Sequence, residues 1–396
     1  MIATVRTSPN LQGKIQVPAS KSHSVRVLFA AALKKGDTII HNLDDNEDTQ
    51  AALDVIRALG CTVEGETIHG TGLPFQVETN EMFTGNSGIT TRFLLPLLGL
   101  RHSTHPIRVI PNEQMRARPS QPLVSALNGL GMDIQVDKGV FNVQGRIRGG
   151  HAEISGLSSQ YTSALLFALS WLPENSTLKV HNLNEKPYVQ LTLDWLVKMG
   201  AQITWRADDT FEIEGGKTPA LPDEITIPRD WSAASCLLLL KNIQLEGLDP
   251  SDPQPDKILA DWLKQDLSGR TLDLNDCPDL VPAVAVLATQ IPGGLTLANV
   301  PQARIKETDR IHSMAEGLRA MGAAVEELPD GLKIAQTNLK GAKIHGYHDH
   351  RTVMAFTVAG LLAEGATEID TAEAVAKTYP NFFKDLQACG ANITLE

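Results

Sequence analysis

The most chemically dense stretch of this sequence is "RIKETDR", residues 304–310, which precedes an apolar helical pattern. Lys306 and Arg310 are four residues apart, so both would share one face of a helix beside Glu307. Two cations at this spacing can hold anionic substrate groups while a carboxylate between them transfers protons. A run of solvated charges is the alternative. The pattern therefore indicates a binding and catalytic site.

Similar groups precede other apolar helical patterns. "PASKSHSVR" (18–26) carries Lys21, Ser22 and Arg26, and "GNSGITTR" (85–92) is a glycine-rich loop that ends in Arg92. Cations and exposed backbone N–H groups at a helix N-terminus form an anion site. The alternatives are an ordinary serine cap and a common glycine turn.

Four further helix entries follow the same pattern: "MRARP" (115–119), "SSQYTSALLFAL" (158–169), "DCPD" (276–279) and "HDHR" (348–351). Arg116 and Arg118 could bind carboxylate or phosphate oxygens bidentately, or could be surface arginines. Asp279 could be a simple helix cap. Because six entries carry more polar groups than one cap requires, we expect several helix N-termini to bind one small polyanion in a cleft.

The histidines near residue 348 raise the question of a metal site. His345, His348, Asp349 and His350 all have possible ligand atoms, but no second cluster completes a shell, and Arg351 would repel a cation. We expect neither a metal nor a cofactor.

Composition narrows the class of protein. The chain has 396 residues, 42% hydrophobic and 20% charged, with net charge -11, which indicates a folded protein of two domains. Excess acid disfavours nucleic-acid or anionic-membrane partners, and no apolar run reaches the ~20 residues that span a bilayer. The first residues contain no apolar targeting segment, so a cytoplasmic location is expected. The four cysteines are scattered, which argues against zinc and disulfides.

Glycines reveal an internal repeat. Five of them each close a helical pattern and open a strand pattern: Gly60, Gly131, Gly200, Gly322 and Gly390. Their spacing is roughly 70 residues, except for a nearly double gap in which "ILADWLKQDLSGRTLDL" keeps a helix but has no glycine marker. The pattern predicts six α+β units, one of them trimmed of its hairpin, in two domains of three. "ALPDEITIPRD" (220–230) is the expected linker.

Along nearly its whole length the chain resembles the family of 5-enolpyruvylshikimate-3-phosphate synthases. The motifs that carry the resemblance, in the family's order, are "SKSHSVR", "GNSGITTR", "RARP", "SSQYTSALL", "KPYVQLTL", "CPD", "RIKETDR", "DHRTVMA" and "AKTYPNFF". The resemblance implies an α+β fold of two domains, each of three βαβαββ units, of the inside-out α/β barrel type. The expected domains are 21–228, on the shikimate 3-phosphate side, and 1–20 with 229–396, on the phosphoenolpyruvate side, with the active site in the cleft between them.

The resemblance also implies roles for individual residues. Those expected to hold shikimate 3-phosphate are Ser22, Arg26, Ser158, Ser159, Gln160, Tyr188 and Lys306. Those expected around phosphoenolpyruvate are Gly88, Arg92, Arg118, Arg310, Arg351 and Lys377. Lys21 would lie between both substrates. Asp279 would take the proton of the attacking 5-hydroxyl, and Glu307 would protonate and later deprotonate C3. Lys377 would either protonate the departing phosphate or stabilise it.

The implied partners are therefore two small molecules, phosphoenolpyruvate and shikimate 3-phosphate, with no nucleic acid and no membrane, and a monomer is expected. Two other functions stay open. One is enolpyruvyl transfer to a different acceptor such as a UDP-sugar, although those relatives lack "KETDR". The other is a ligand-binding protein that has lost the chemistry, although Lys21, Asp279, Glu307 and Lys377 are all present.

The sequence departs from the family pattern at several positions. Ile89 stands where threonine is usual, Glu185 where serine is usual, and His348 where asparagine is usual. Glu185 would repel a bound 3-phosphate unless its side chain points away or neutralises a lysine. Ile89 would either reshape the phosphoenolpyruvate pocket, with weak inhibition by the competitor glyphosate, or pack into the adjacent helix.

Overall fold

The computed structural model describes all 396 residues and divides into two compact units. The N-terminal unit comprises residues 21–227, and the C-terminal unit comprises residues 1–20 and 228–396. None of the helices combines the length and the apolar character that crossing a bilayer would require.

The chain forms 22 strands: β1 Ala3–Arg6, β2 Gly13–Gln16, β3 Lys35–His41, β4 Thr62–Glu64, β5 Thr67–Thr71, β6 Glu81–Gly85, β7 Ile107–Pro111, β8 Met132–Asp137, β9 Val140–Gly145, β10 His151–Ser155, β11 Ser176–His181, β12 Gln202–Trp205, β13 Thr210–Glu214, β14 Glu224–Thr226, β15 Ile243–Glu246, β16 Thr271–Asp273, β17 Leu295–Ala298, β18 Val325–Leu328, β19 Gly331–Ile334, β20 Lys343–Ile344, β21 Ala366–Ile369 and β22 Asn392–Leu395.

It also forms 13 α-helices: α1 Lys21–Leu33, α2 Glu47–Ala58, α3 Gly88–Leu97, α4 Glu113–Arg116, α5 Gln121–Gly129, α6 Ser159–Leu169, α7 Lys186–Lys198, α8 Trp231–Ala234, α9 Ile258–Trp262, α10 Val281–Gln290, α11 Arg310–Ala320, α12 His350–Leu362 and α13 Phe382–Ala388. Short 3-10 helices at Pro278–Leu280, Pro301–Ile305 and Ala372–Lys377 lie close to candidate site residues.

The predicted βαβαββ unit is confirmed. In the sheet β6-β7-β9-β8, strands β6 and β7 are parallel and joined through α3, and β8 and β9 form an antiparallel hairpin that pairs with β7. The sheets β10-β11-β13-β12 and β16-β17-β19-β18 follow the same order. Two more sheets also have four strands, but in each of them one strand comes from a distant part of the chain. In one sheet β14 pairs with β3, and in the other β1 pairs with both β21 and β22.

The sixth sheet is the trimmed unit. It contains only β2 and β15, paired in parallel with Ile15 opposite Leu245. Helix α9 follows where the sequence predicted a surviving helix, but the chain then enters β16 of the next sheet without forming a hairpin. The boundary between the two units, at residues 227 and 228, falls inside the predicted linker at 220–230. The linker is not turn-rich throughout, because Glu224–Thr226 within it is a strand that pairs with β3.

Helices form the centre of each unit and sheets form its outer layer. All residues of α3 are buried, as are all but the last of both α10 and α12. Strands such as β6 and β10 alternate buried and exposed residues, as expected for sheets with one face on the core and one in water. A helix that is apolar all round must be buried, so these sequences place the helices inside.

The marker glycines end helices as predicted. Gly60 and Gly322 have φ angles of +103° and +90°, a backbone region that other residues rarely adopt. This conformation reverses the chain after the last helical turn and directs it into the next strand.

Candidate active site

Three helices that begin at predicted motifs pack together in the N-terminal unit. Phe29 of α1 stacks on Phe93 of α3, with ring centroids 5.9 Å apart, and Phe93 contacts Phe167 of α6 at 5.2 Å. All three rings are fully buried. This aromatic contact ties together helices that start at Lys21, Gly88 and Ser159.

Lys21 and Arg26 are both engaged within this unit. Lys21 Nζ lies 3.4 Å from Asp48 Oδ2, and Lys21 keeps 14% of its side chain exposed. Arg26 is 1% exposed and donates to Thr192 Oγ1 at 2.8 Å and to the carbonyl oxygens of Ser22 and Tyr188. Burial lowers the pKa of Arg26 to about 10. Arg26 therefore fixes α1 against α7 as well as lying among the candidate residues.

The structure brings the expected phosphoenolpyruvate residues of this unit together. A β-carbon on Gly88 would lie 2.7 Å from Arg118 Nη1 and 3.3 Å from Arg92 Nη1, so both guanidinium groups rest against this glycine. Arg92 donates to Gln160 Oε1 at 2.6 Å and to the carbonyl oxygen of Pro119 at 3.0 Å. Only a residue without a side chain at position 88 permits this approach.

Ser158 caps α6 and accepts a hydrogen bond from the Gln160 N–H at 3.4 Å. The next residue, Ser159, donates its backbone N–H to Glu185 Oε2 at 3.1 Å, and its hydroxyl donates to the same oxygen. Glu185 is 2% exposed. The Glu185 carboxylate therefore lies against Ser159, one of the residues expected to hold the 3-phosphate.

In the C-terminal unit, Arg310 is surrounded by three carboxylates. Its Nε donates to Asp349 Oδ2 at 2.8 Å, Nη1 to Asp279 Oδ1 at 2.7 Å, and Nη2 to Glu307 Oε2 at 2.9 Å. The Arg310 side chain is 1% exposed. Both predicted proton-transfer residues are therefore held by one guanidinium.

Each of these two carboxylates contacts a second cation. Arg351 Nη2 lies 3.0 Å from Asp279 Oδ2, and Lys377 Nζ donates to Glu307 Oε1 at 3.0 Å. Lys377 comes from the 3-10 helix Ala372–Lys377 and is 3% exposed. The result is one connected network in which positive and negative groups alternate.

Burial and pairing oppose each other in the pKa values of the two arginines. Burial alone would lower the pKa of Arg310, but the carboxylates of Asp349, Glu307 and Asp279 raise it well above its usual value. Burial would likewise lower the pKa of Arg351, but nearby carboxylates, above all that of Asp279, together outweigh burial and raise this pKa above its usual value. Both side chains are therefore permanent cations.

The "RIKETDR" stretch itself differs in part from the prediction. Helix α11 begins only at Arg310, and Lys306 lies before it with φ −76° and ψ −149°, so the two residues do not share a helical face. Arg304 donates to Asp309 at 2.6 Å and to Glu327 at 3.0 Å, which attaches the stretch to β18. Asp309 caps α11. Part of this charged stretch is therefore structural.

Asp279 and Asp349 also have roles that the sequence did not separate. Asp279 lies inside the 3-10 helix Pro278–Leu280 and is not a helix N-cap. Asp349, considered as a metal ligand, caps α12 by accepting from the Arg351 N–H at 2.8 Å and binds Arg310 with its other oxygen. His345 pairs with Asp370 at 2.8 Å instead. The sequence signal for this capping role was the position of Asp349 directly before an apolar helix.

Three other expected residues, at helix or loop positions, are also partly exposed. Ser22 is in the first turn of α1, Tyr188 in the first turn of α7, and Lys306 follows the 3-10 helix Pro301–Ile305. The four cysteines are all free and buried.

Comparison with known proteins gives a consistent result. The family model described as EPSP synthase (3-phosphoshikimate 1-carboxyvinyltransferase) matches residues 5–386. A 3-phosphoshikimate 1-carboxyvinyltransferase of Acetivibrio thermocellus is 39% identical, with 100% of this chain and 99% of the relative covered. One from Ruminiclostridium cellulolyticum is also 39% identical, with 98% of each covered. In structure, an EPSP synthase of Acinetobacter baumannii shares the fold with a TM-score of 0.82, 23% identity and 99% coverage of both chains.

Proposed function

This chain belongs to the EPSP synthase family, and we propose that the network around Arg310 is its proton-transfer centre. Its activity is the transfer of the enolpyruvyl group of phosphoenolpyruvate to the 5-hydroxyl of shikimate 3-phosphate, with release of phosphate. The product serves aromatic amino-acid biosynthesis. The observation that carries the residue assignment is the pairing of both Asp279 and Glu307 with Arg310.

In the addition step, the 5-hydroxyl oxygen attacks C2 of phosphoenolpyruvate while C3 gains a proton. Asp279 accepts the hydroxyl proton, and Glu307 supplies the proton to C3, which becomes a methyl group. Asp279 keeps 18% of its side chain exposed and Glu307 keeps 7%, although the cation that joins them is buried. The two carboxylates are therefore accessible to a substrate while Arg310 fixes their orientation.

In the elimination step, the C2–O bond to phosphate breaks and its electron pair leaves with the phosphate. Glu307 takes a proton back from the methyl group, which re-forms the double bond, and the departing phosphate takes up a proton that balances the one that Asp279 removed from the hydroxyl. Lys377 lies 3.0 Å from Glu307 Oε1, within the range for direct proton transfer. We assign Lys377 as the group that exchanges protons with Glu307. Arg351, with its permanent charge, holds Asp279 and stabilises anionic substrate groups.

The substrate-binding assignments combine the roles that the family resemblance implies with the positions of charged and hydrogen-bonding groups. Arg92 and Arg118, against Gly88, supply two guanidinium groups for the phosphoenolpyruvate anion. The remaining phosphoenolpyruvate contacts come from Arg310, Arg351 and Lys377. The residues proposed for shikimate 3-phosphate are Ser22, Arg26, Ser158, Ser159, Gln160, Tyr188 and Lys306, with Lys21 contacting both substrates. Residues 21–227 then carry most contacts to the acceptor, and the C-terminal unit carries the proton chemistry.

We further propose that the protein acts as a monomer in the cytoplasm without a metal or cofactor. Phosphate release from phosphoenolpyruvate, measured with and without shikimate 3-phosphate, tests the proposed function directly. Release that depends on shikimate 3-phosphate supports it. Release that is equal without the acceptor, or that requires a UDP-sugar, would contradict it.

A further inference from the structure

Glu185 binds donors that belong to a different helix. It lies directly before α7, yet its Oε2 accepts the backbone N–H of Ser159 at 3.1 Å and the Ser159 hydroxyl, both at the start of α6. Glu185 and Ser159 are 26 residues apart in the chain, and both are buried. A charged oxygen that accepts two hydrogen bonds in a buried place is held firmly.

The backbone at Glu185 shows that the fold directs this side chain toward α6. Glu185 has φ 56° and ψ 41°, a left-handed conformation that is unfavourable for a residue with a long side chain. It occupies the cap position of α7, but its side chain does not cap that helix. The side chain thus binds the first turn of α6.

We propose that Glu185 determines acceptor specificity by occupying the donors of Ser159 that the acceptor's phosphate needs. This inference rests on the proposed function, which assigns those donors to shikimate 3-phosphate. A carboxylate and a phosphate are both anionic acceptors, and two anions on the same pair of donors repel each other strongly. The phosphate must therefore displace the Glu185 carboxylate in order to bind Ser159.

Two consequences follow for the acceptor. The affinity for shikimate 3-phosphate is lower than the donors of α6 would give without Glu185, because displacement of the carboxylate opposes binding. The affinity for unphosphorylated shikimate is not lowered by Glu185, since the 3-hydroxyl of shikimate can donate a hydrogen bond to the carboxylate. Glu185 therefore reduces the preference of the enzyme for shikimate 3-phosphate over shikimate.

Steady-state kinetics of the full-length protein test this proposal with Glu185→Ser and Glu185→Gln. Glu185→Ser frees the Ser159 donors, and we expect the KM for shikimate 3-phosphate to fall about tenfold or more with the KM for phosphoenolpyruvate within about twofold. Glu185→Gln keeps an acceptor oxygen of similar shape but no charge, so its KM should fall by less. The ratio of kcat/KM for shikimate 3-phosphate to that for shikimate should rise in both variants.

Glu214→Gln is the matched control, because it removes one carboxylate of the same unit from an exposed surface pair with Lys217. Its KM values should equal those of the wild type. An unchanged or higher KM for shikimate 3-phosphate in Glu185→Ser would overturn the proposal. If that variant does not fold, the isosteric Glu185→Gln decides in the same way. Absence of turnover with shikimate 3-phosphate in wild type and variants alike would instead reject the proposed function.

Discussion

Lys377 donates a hydrogen bond to Glu307 at 3.0 Å, although the two residues are 70 positions apart in the chain. Glu307 also accepts from Arg310 at 2.9 Å, so a single carboxylate is held by two cations of different chemistry. The guanidinium keeps its proton at any ordinary pH, whereas an ammonium can release one. Arg310 therefore orients the Glu307 carboxylate, and Lys377 can exchange protons with it.

The first prediction concerns the two carboxylates. Asp279→Asn and Glu307→Gln each remove a proton-transfer group while preserving size, so kcat should fall by roughly 10²–10⁴-fold with small changes in KM. Steady-state phosphate release measures this. Near-normal turnover in either variant would reject the role of that residue, and a raised KM with unchanged kcat would indicate a binding role.

The second prediction concerns Lys377. Lys377→Met removes the ammonium, and Lys377→Arg keeps the positive charge but cannot release a proton. If Lys377 exchanges protons with Glu307, both variants should lose activity to a similar extent, by roughly 10²-fold or more. Lys384→Met, an exposed lysine of α13, is the control and should retain full activity. An Lys377→Arg variant with most of the wild-type rate would show that only charge matters.

The third prediction concerns stability. Arg310→Met leaves the carboxylates of Asp349, Asp279 and Glu307 without their shared cation, which should reduce the free energy of unfolding by about 3–5 kcal/mol. Lys343→Met is the control, because it breaks an exposed pair with Glu368 and should cost less than about 1 kcal/mol. Denaturant unfolding followed by tryptophan fluorescence compares them. Equal losses in the two variants would mean that the network is not a main source of stability.

The fourth prediction concerns Ile89, which is 5% exposed in the first turn of α3. It follows Gly88, on which Arg92 and Arg118 rest, and its β-branched side chain can neither donate a hydrogen bond nor adjust easily. Glyphosate is longer than phosphoenolpyruvate, so we expect weak inhibition of the wild type and stronger inhibition of Ile89→Thr, with the KM for phosphoenolpyruvate nearly unchanged. Inhibition titrations at fixed phosphoenolpyruvate measure this. Equal sensitivity of both proteins would assign Ile89 to helix packing alone.

Local sequence predicted the repeated units well. The marker glycines required a left-handed backbone at helix ends, and the structure has it at Gly60 and Gly322. The missing marker between Gly200 and Gly322 correctly indicated the unit that lacks a hairpin, now seen as the sheet of β2 and β15. These features depend on the conformational preferences of a few neighbouring residues, which the sequence contains in full.

Side-chain partners depended on the tertiary structure. The sequence placed Lys306 and Arg310 on one helical face, but Asp309 caps the helix and leaves Lys306 outside it. It also could not reveal that Glu185 binds Ser159, because the left-handed backbone that directs this side chain is unusual for glutamate.

By itself, the sequence determined which residue types stand at the start of each helix. It therefore indicated where anions could bind and where protons could be transferred. Only the tertiary structure decided that Asp279, Glu307 and Asp349 share Arg310, since these residues approach one another through packing of separate helices. Helix caps arise from hydrogen bonds within a few residues of the chain. A buried ion network arises from distant segments that must neutralise one another once water is excluded, and its pairing follows from how the helices pack.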